Sequence, residues 1–173
     1  MRNTGNIYLT GLSGSGKSTV GPVLAQRLGW SFVDTDRLIE ETTGMAVTDI
    51  FSTFGEPAFR QHEANMIEHV TTMCRELVVS LGGGAIVNGE NRSRLRESGI
   101  VVYLKASPRV LAERLENTSE SRPLLHARDN DVTKRLGELL QEREALYEEA
   151  QLTIETGDLN AGDVAEKILA KIE

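Results

Sequence analysis

Apolar residues along this chain follow two alternating patterns: short continuous runs, and longer stretches with spacings of three and four. The runs are Ile7-Tyr8-Leu9, Ser31-Phe32-Val33, Leu77-Val78-Val79-Ser80-Leu81, Ile100-Val101-Val102-Tyr103-Leu104 and Leu152-Thr153-Ile154. Runs without polar alternation suit parallel strands covered on both faces. Between them, Val20, Val23, Leu24 and Leu28 give one apolar face to a helix over 19–28, with Pro22 tolerated in its opening turns. Leu38-Ile39 opens another helix, and 48–54 and 57–73 predict two more, Pro57 starting the longer one. Helices over 91–97, 108–115, 132–150 and 161–172 complete the pattern. Strands alternating with helices predict an α/β fold, a five-stranded parallel sheet flanked by helices on both faces. One segment breaks the rhythm. Residues 116–131 are polar apart from Leu124-Leu125 and read as a long loop, which in a compact domain is usually functional or disordered.

A length of 173 residues suits one domain with a real core. The net charge of −7 argues against general affinity for nucleic acid or an anionic membrane, so an anionic ligand must be met by local arginines. Cys74 is the only cysteine, which excludes an internal disulfide and points to a reducing, cytoplasmic setting. The N-terminus lacks the basic-then-apolar pattern of a signal peptide, and no apolar run approaches the roughly 20 residues that span a bilayer. A soluble monomer is the expectation.

The chemistry begins at Gly11-Leu12-Ser13-Gly14-Ser15-Gly16-Lys17-Ser18, a Gly-x-x-x-x-Gly-Lys-Ser loop between the first strand and a helix. Glycines let the backbone curl its N–H groups inward, and the helix offers its positive end to phosphates. Lys17 then reaches β- and γ-phosphate oxygens, and the Ser18 hydroxyl ligates Mg²⁺. A dinucleotide fingerprint fits poorly, because the third glycine position holds Thr19.

Two further motifs follow strand ends, where parallel α/β sheets form their ligand crevice: Asp34-Thr35-Asp36, and Gly82-Gly83-Gly84. In an extended turn one aspartate, Asp34, can face Mg²⁺ and its water shell, while Asp36 faces and deprotonates an acceptor hydroxyl. Asp34 or Thr35 can equally cap the next helix. The triple glycine lets a substrate approach backbone N–H groups closely, although a tight turn is the plainer reading. Phe51 and Phe59 read as walls of an acceptor pocket, while Phe51 and Phe54 at helical spacing read equally as core. His62, His69 and His126 lack metal-ligand spacing.

Together with Phe59-Arg60 and Glu63, Arg122-Pro123-Leu124-Leu125, and Arg143 with Tyr147, these motifs resemble shikimate kinase in order and spacing from about Ile7 to Tyr147. The resemblance implies a single-domain P-loop kinase fold and ATP-dependent phosphorylation of the 3-hydroxyl of shikimate, on the chorismate route to aromatic amino acids. It implies ATP contacts from Gly14, Ser15, Gly16, Lys17, Ser18, Thr19, Arg114 and Arg122. It also implies shikimate contacts from Asp36, Arg60, Gly82, Gly83, Gly84 and Arg143, with 116–131 as a lid that carries Arg122 over the transferring phosphate. Arginine's planar fork suits a substrate carboxylate, the role that falls to Arg60 and Arg143. Glu63 orients Arg60, and Arg114 takes the adenine-stacking position. The chain departs from the family at Thr156-Gly157-Asp158-Leu159-Asn160, an acidic stretch without the proline often found there. The rival readings are a gluconate-type or other small-molecule kinase, and a nucleotide-binding regulatory module without transfer activity.

Overall fold

The computed structural model describes residues 5–73, 75–117 and 131–172. Its sheet has five parallel strands: β1 (Asn6–Thr10), β2 (Ser31–Asp34), β3 (Leu77–Ser80), β4 (Gly99–Lys105) and β5 (Leu152–Glu155), in the order β2-β3-β1-β4-β5. The helices are α1 (Lys17–Leu28), α2 (Thr35–Thr43), α3 (Val47–Met73), α4 (Gly89–Ser98), α5 (Pro108–Glu116), α6 (Val132–Tyr147) and α7 (Ala161–Ile172).

Strand periodicity sorts the apolar runs onto two faces. Ile7, Leu9, Val78, Val102 and Leu104 pack against α1 and α7 through Leu24 and Ile168. Tyr8, Val79, Val101 and Tyr103 face the other way, toward Ile67 of α3, Leu111 of α5 and Leu136 of α6. Both layers are closed to solvent, which is why these strands carry no polar alternation. Truncating a residue such as Leu9 or Leu24, both fully buried, costs about 2–5 kcal/mol.

The expected helices are present with shifted ends. α6 stops at Tyr147 rather than at residue 150, and a 3₁₀ turn at Ala85–Val87 was not expected. The two helices expected over 48–54 and 57–73 run on as α3, interrupted at Gly55 (φ 82°, ψ 173°), a conformation open essentially to glycine alone. Of the segment expected to be a lid, Glu116, Asn117 and Asp131 are described; Arg122, Pro123, Leu124, Leu125 and His126 lie outside the described residues, as does Cys74. Among the described residues, no helix is long and apolar enough to cross a membrane.

Candidate active site

The loops after β1, β2 and β3 open into one cleft of about 1280 Å³ along the carboxyl edge of the sheet. At its centre the phosphate loop ends at Gly16, whose φ of 98° caps α1 without any side-chain hydrogen bond. The first turn of α1 holds no acidic residue, which leaves its positive end open to an anion, while the N–H groups of Thr19 and Val20 donate to Gly16 O. Lys17 is buried across the loop, its Nζ donating to Gly11 O at 2.7 Å, Leu12 O at 3.0 Å and Ser15 Oγ at 3.4 Å. Ser15 is buried in the loop, while Ser18 and Thr19 are exposed at its lip.

Asp34 takes both roles open to it. Its Oδ1 accepts from the backbone N–H of Asp36 and of Arg37 and caps α2, while its Oδ2 accepts from Ser18 Oγ at 3.0 Å. A hydroxyl and a carboxylate oxygen side by side, beside a phosphate loop, fit the hard oxygen donors that Mg²⁺ prefers. Thr35, between the aspartates and fully buried, accepts from Gly82 N–H at 3.1 Å and donates to Ser80 O at 3.3 Å. It ties α2 to the triple glycine. Nothing in the sequence distinguished this anchor from a helix cap, because its partners lie 45 and 47 residues away.

Asp36, Arg60, Glu63 and Arg143 come together beside Gly82, Gly83 and Gly84. Arg60 is clamped by Glu56 (3.0 Å) and Glu63 (2.8 Å), with its guanidinium carbon 5.3 Å from the centroid of the Phe59 ring. Glu56 was missed in the sequence, although its i,i+4 spacing to Arg60 was the available signal. Gly84 owes its identity to this arginine: a Cβ there would overlap the Arg60 guanidinium. At Gly82 a Cβ would stand 2.8 Å from both Asp36 Oδ1 and Glu63 Oε1. Glu63 is 1% exposed, and its Oε1 has no hydrogen-bond partner among the described residues. Burial pushes its carboxyl up to about 7, with Asp36 adding to the rise and Arg60 and Arg143 opposing it.

Arg143 donates to Gly83 O at 3.3 Å, and the Tyr147 hydroxyl donates to the same oxygen. Tyr147 stacks on Tyr103 with centroids 5.0 Å apart, and burial raises its hydroxyl to about 12, so it stays a donor. Phe51 and Phe59, with centroids 4.7 Å apart, line the cleft and also pack with Ile39 and Ile50, so wall and core readings both apply to Phe51. Phe54 belongs neither to wall nor to core: it is 61% exposed, one residue before the break at Gly55.

On the far side of the phosphate loop, Arg114 donates to Thr156 Oγ1 at 3.0 Å, to Gly157 O, and at 3.5 Å to Gly14 O and Ser15 O. Its donor edge is thus held between two loops, by Thr156 and Gly157 of the stretch where the chain departs from the family. His62 and His69 join no metal cluster; among the described residues, no group of three or more His, Cys, Asp or Glu is placed to hold a metal ion.

A family model described as shikimate kinase matches residues 13–173. The chain is 44% identical over 168 residues to the shikimate kinase of Thermodesulfovibrio yellowstonii, covering 97% of this chain and 95% of that one. It is 44% identical over 173 residues to the shikimate kinase of Chlorobium chlorochromatii, covering 96% and 90%. Its fold matches that of shikimate kinase from Acinetobacter baumannii in complex with shikimate, with a TM-score of 0.92, 41% identity, and coverage of 99% and 94%.

Proposed function

Because the chain belongs to the shikimate kinase family and phosphorylates shikimate at the expense of ATP in aromatic biosynthesis, we propose that one two-sided cleft carries the reaction. Gly14–Thr19, Arg114 and Arg122 bind ATP, and Asp36, Arg60, Gly82–Gly84 and Arg143 bind shikimate. The observation that carries this reading is that Asp36, Arg60 and Arg143 line the same cleft as Lys17 and Ser18.

Phosphoryl transfer asks a protein mainly for positioning and neutralisation of charge. Arg60 and Arg143 fork onto the substrate carboxylate, which orients the ring. Asp36 accepts a hydrogen bond from the 3-hydroxyl and takes its proton as oxygen attacks the γ-phosphorus and the bond to the β-phosphate oxygen breaks. Lys17 exchanges its loop carbonyl partners for β- and γ-phosphate oxygens. Ser18 and, through water, Asp34 would hold Mg²⁺, which when bound supplies charge neutralisation on the phosphates. Arg122, from a lid over 116–131, adds positive charge at the transferring phosphate, and closure excludes competing water. Arg114 presents its plane to the adenine.

The whole chain, 1–173, acts as one domain and as a cytoplasmic monomer working on small molecules. Support comes from the net charge of −7, the single cysteine, and the small number of exposed large hydrophobics, namely Phe54, Met73 and Val87 among the described residues. Neither nucleic acid nor membrane is a partner in this reading.

A coupled ADP-release assay over shikimate, gluconate and nucleoside monophosphates tests the assignment. Shikimate should be turned over best, and Asp36→Ala should lose at least about 100-fold in turnover with ATP affinity retained. Transfer at the original rate by Asp36→Ala removes Asp36 from the chemistry.

A further inference from the structure

We infer that shikimate enters its site together with a proton, which Glu63 takes up as the substrate carboxylate docks on Arg60 and Arg143. This rests on the assignment of those two arginines to the substrate carboxylate. The charged groups acting on Glu63 are Arg60 on α3, Asp36 on α2 and Arg143 on α6, and Glu56 on α3 shares Arg60 with it. With every carboxylate ionised, three negative groups already oppose two positive ones, and an incoming carboxylate adds a fourth.

Geometry, together with the role proposed for Asp36, shows which group can absorb that excess. Glu56 is half exposed and solvated. Asp36 must stay ionised to take the hydroxyl proton. Glu63 keeps Oε2 on Arg60, while its Oε1 is sealed from water and faces the Asp36 carboxylate across the missing side chain of Gly82. A proton on Oε1 removes one negative charge from the side facing Asp36, where burial makes it most costly. Burial already raises the Glu63 carboxyl to about 7, and its ionised form depends on Arg60 and Arg143. A substrate anion drawing on the same two cations weakens that support and raises it further.

The step balances simply. Enzyme with ionised Glu63, the shikimate anion and one proton from solvent give a complex with Glu63 as a neutral acid; no bond of the substrate breaks, and the proton leaves when the ligand leaves.

Calorimetric titration of the ATP-free enzyme with shikimate at pH 7.5, in buffers of different ionisation enthalpy, reads the number of protons taken up. Roughly half a proton or more per site is expected in the wild type, with affinity falling by up to about tenfold per pH unit above pH 8. Glu63→Gln, which keeps an acceptor for Arg60, should bind with uptake near zero. Binding without uptake in the wild type, or equal uptake in Glu63→Gln, overturns the inference. Should the variant fail to bind, carboxyl-labelled glutamate followed by NMR in the wild type decides: the Glu63 midpoint must rise on saturation with shikimate, and an unmoved midpoint overturns the inference. Wild-type affinity in both Arg60→Ala and Arg143→Ala would instead overturn the carboxylate assignment beneath it.

Discussion

Replacing Gly84 by alanine adds one methyl group where the cleft proposed to take shikimate meets the Arg60 guanidinium. The backbone at this position (φ −101°, ψ 0°) accepts alanine without strain, so the cost falls entirely on the neighbour. The new Cβ would sit 2.6 Å from Arg60 Cζ, against ordinary carbon contacts of about 3.5–4.0 Å, so the guanidinium must retreat by roughly an ångström. An arginine tip usually moves cheaply, but this one is held by Glu56 and Glu63 and lies over Phe59. A displacement of that size takes a bidentate grip out of register. A charge-assisted hydrogen bond contributes about 1.5–3 kcal/mol, which corresponds to a rise in KM for shikimate of about 10- to 150-fold. The KM for ATP should change less than about twofold, since the three atoms nearest the new Cβ all belong to Arg60. Steady-state kinetics with each substrate varied in turn, beside a urea denaturation curve, measure all three quantities. Fold stability within about 1 kcal/mol of wild type is expected. A shikimate KM within twofold of wild type would refute the claim that Gly84 is there to seat Arg60.

Two further outcomes follow from buried polar groups. Glu63 is raised in the folded state from 4.5 to about 7, so its favourable contribution is complete below pH 4.5 and is lost as pH rises toward and through 7. Relative to Glu63→Gln, the ligand-free wild type should therefore lose on the order of 3 kcal/mol between pH 4.5 and 8 in urea denaturation; a pH-independent difference contradicts the burial argument. Tyr147→Phe removes one of two donors to Gly83 O and leaves the stack on Tyr103 in place. It should cost about 1 kcal/mol of stability, and an unchanged urea midpoint counts against that hydrogen bond.

The strands and the phosphate loop were legible because their causes are local. A continuous run such as Val101 to Leu104 announces burial on both faces, and Gly14, Gly16 and Lys17 carry their function in their spacing. Strand order was not legible, since an apolar run says that neighbours exist without saying which. The residues of the proposed acceptor site were readable by type, and only in part by their causes. Gly84 is explained by Arg60, and Gly82 by Asp36 and Glu63, contacts made by folding rather than by sequence spacing. Phe54 misled for the converse reason: its apolar spacing matched a buried face, yet the chain turns at Gly55 and leaves it in solvent. The partners of Thr35 and Thr156 stayed hidden because a threonine's hydroxyl declares nothing until its partner arrives.

The strand order turns the cleft into a ruler. Neighbouring strands stand about 4.8 Å apart, so β2 to β5 measures roughly 19 Å in four equal steps. Asp34 ends the first strand and Asp36 follows it, the triple glycine follows the second and the phosphate loop the third, while Arg114 follows the fourth strand and Thr156 the last. Hydrogen-bonded ladders set these intervals, so the spacing does not depend on side-chain choice. Rewriting residues at the β2 and β3 marks can therefore change which alcohol is offered, while the distance from that alcohol to the phosphate stays as the sheet dictates.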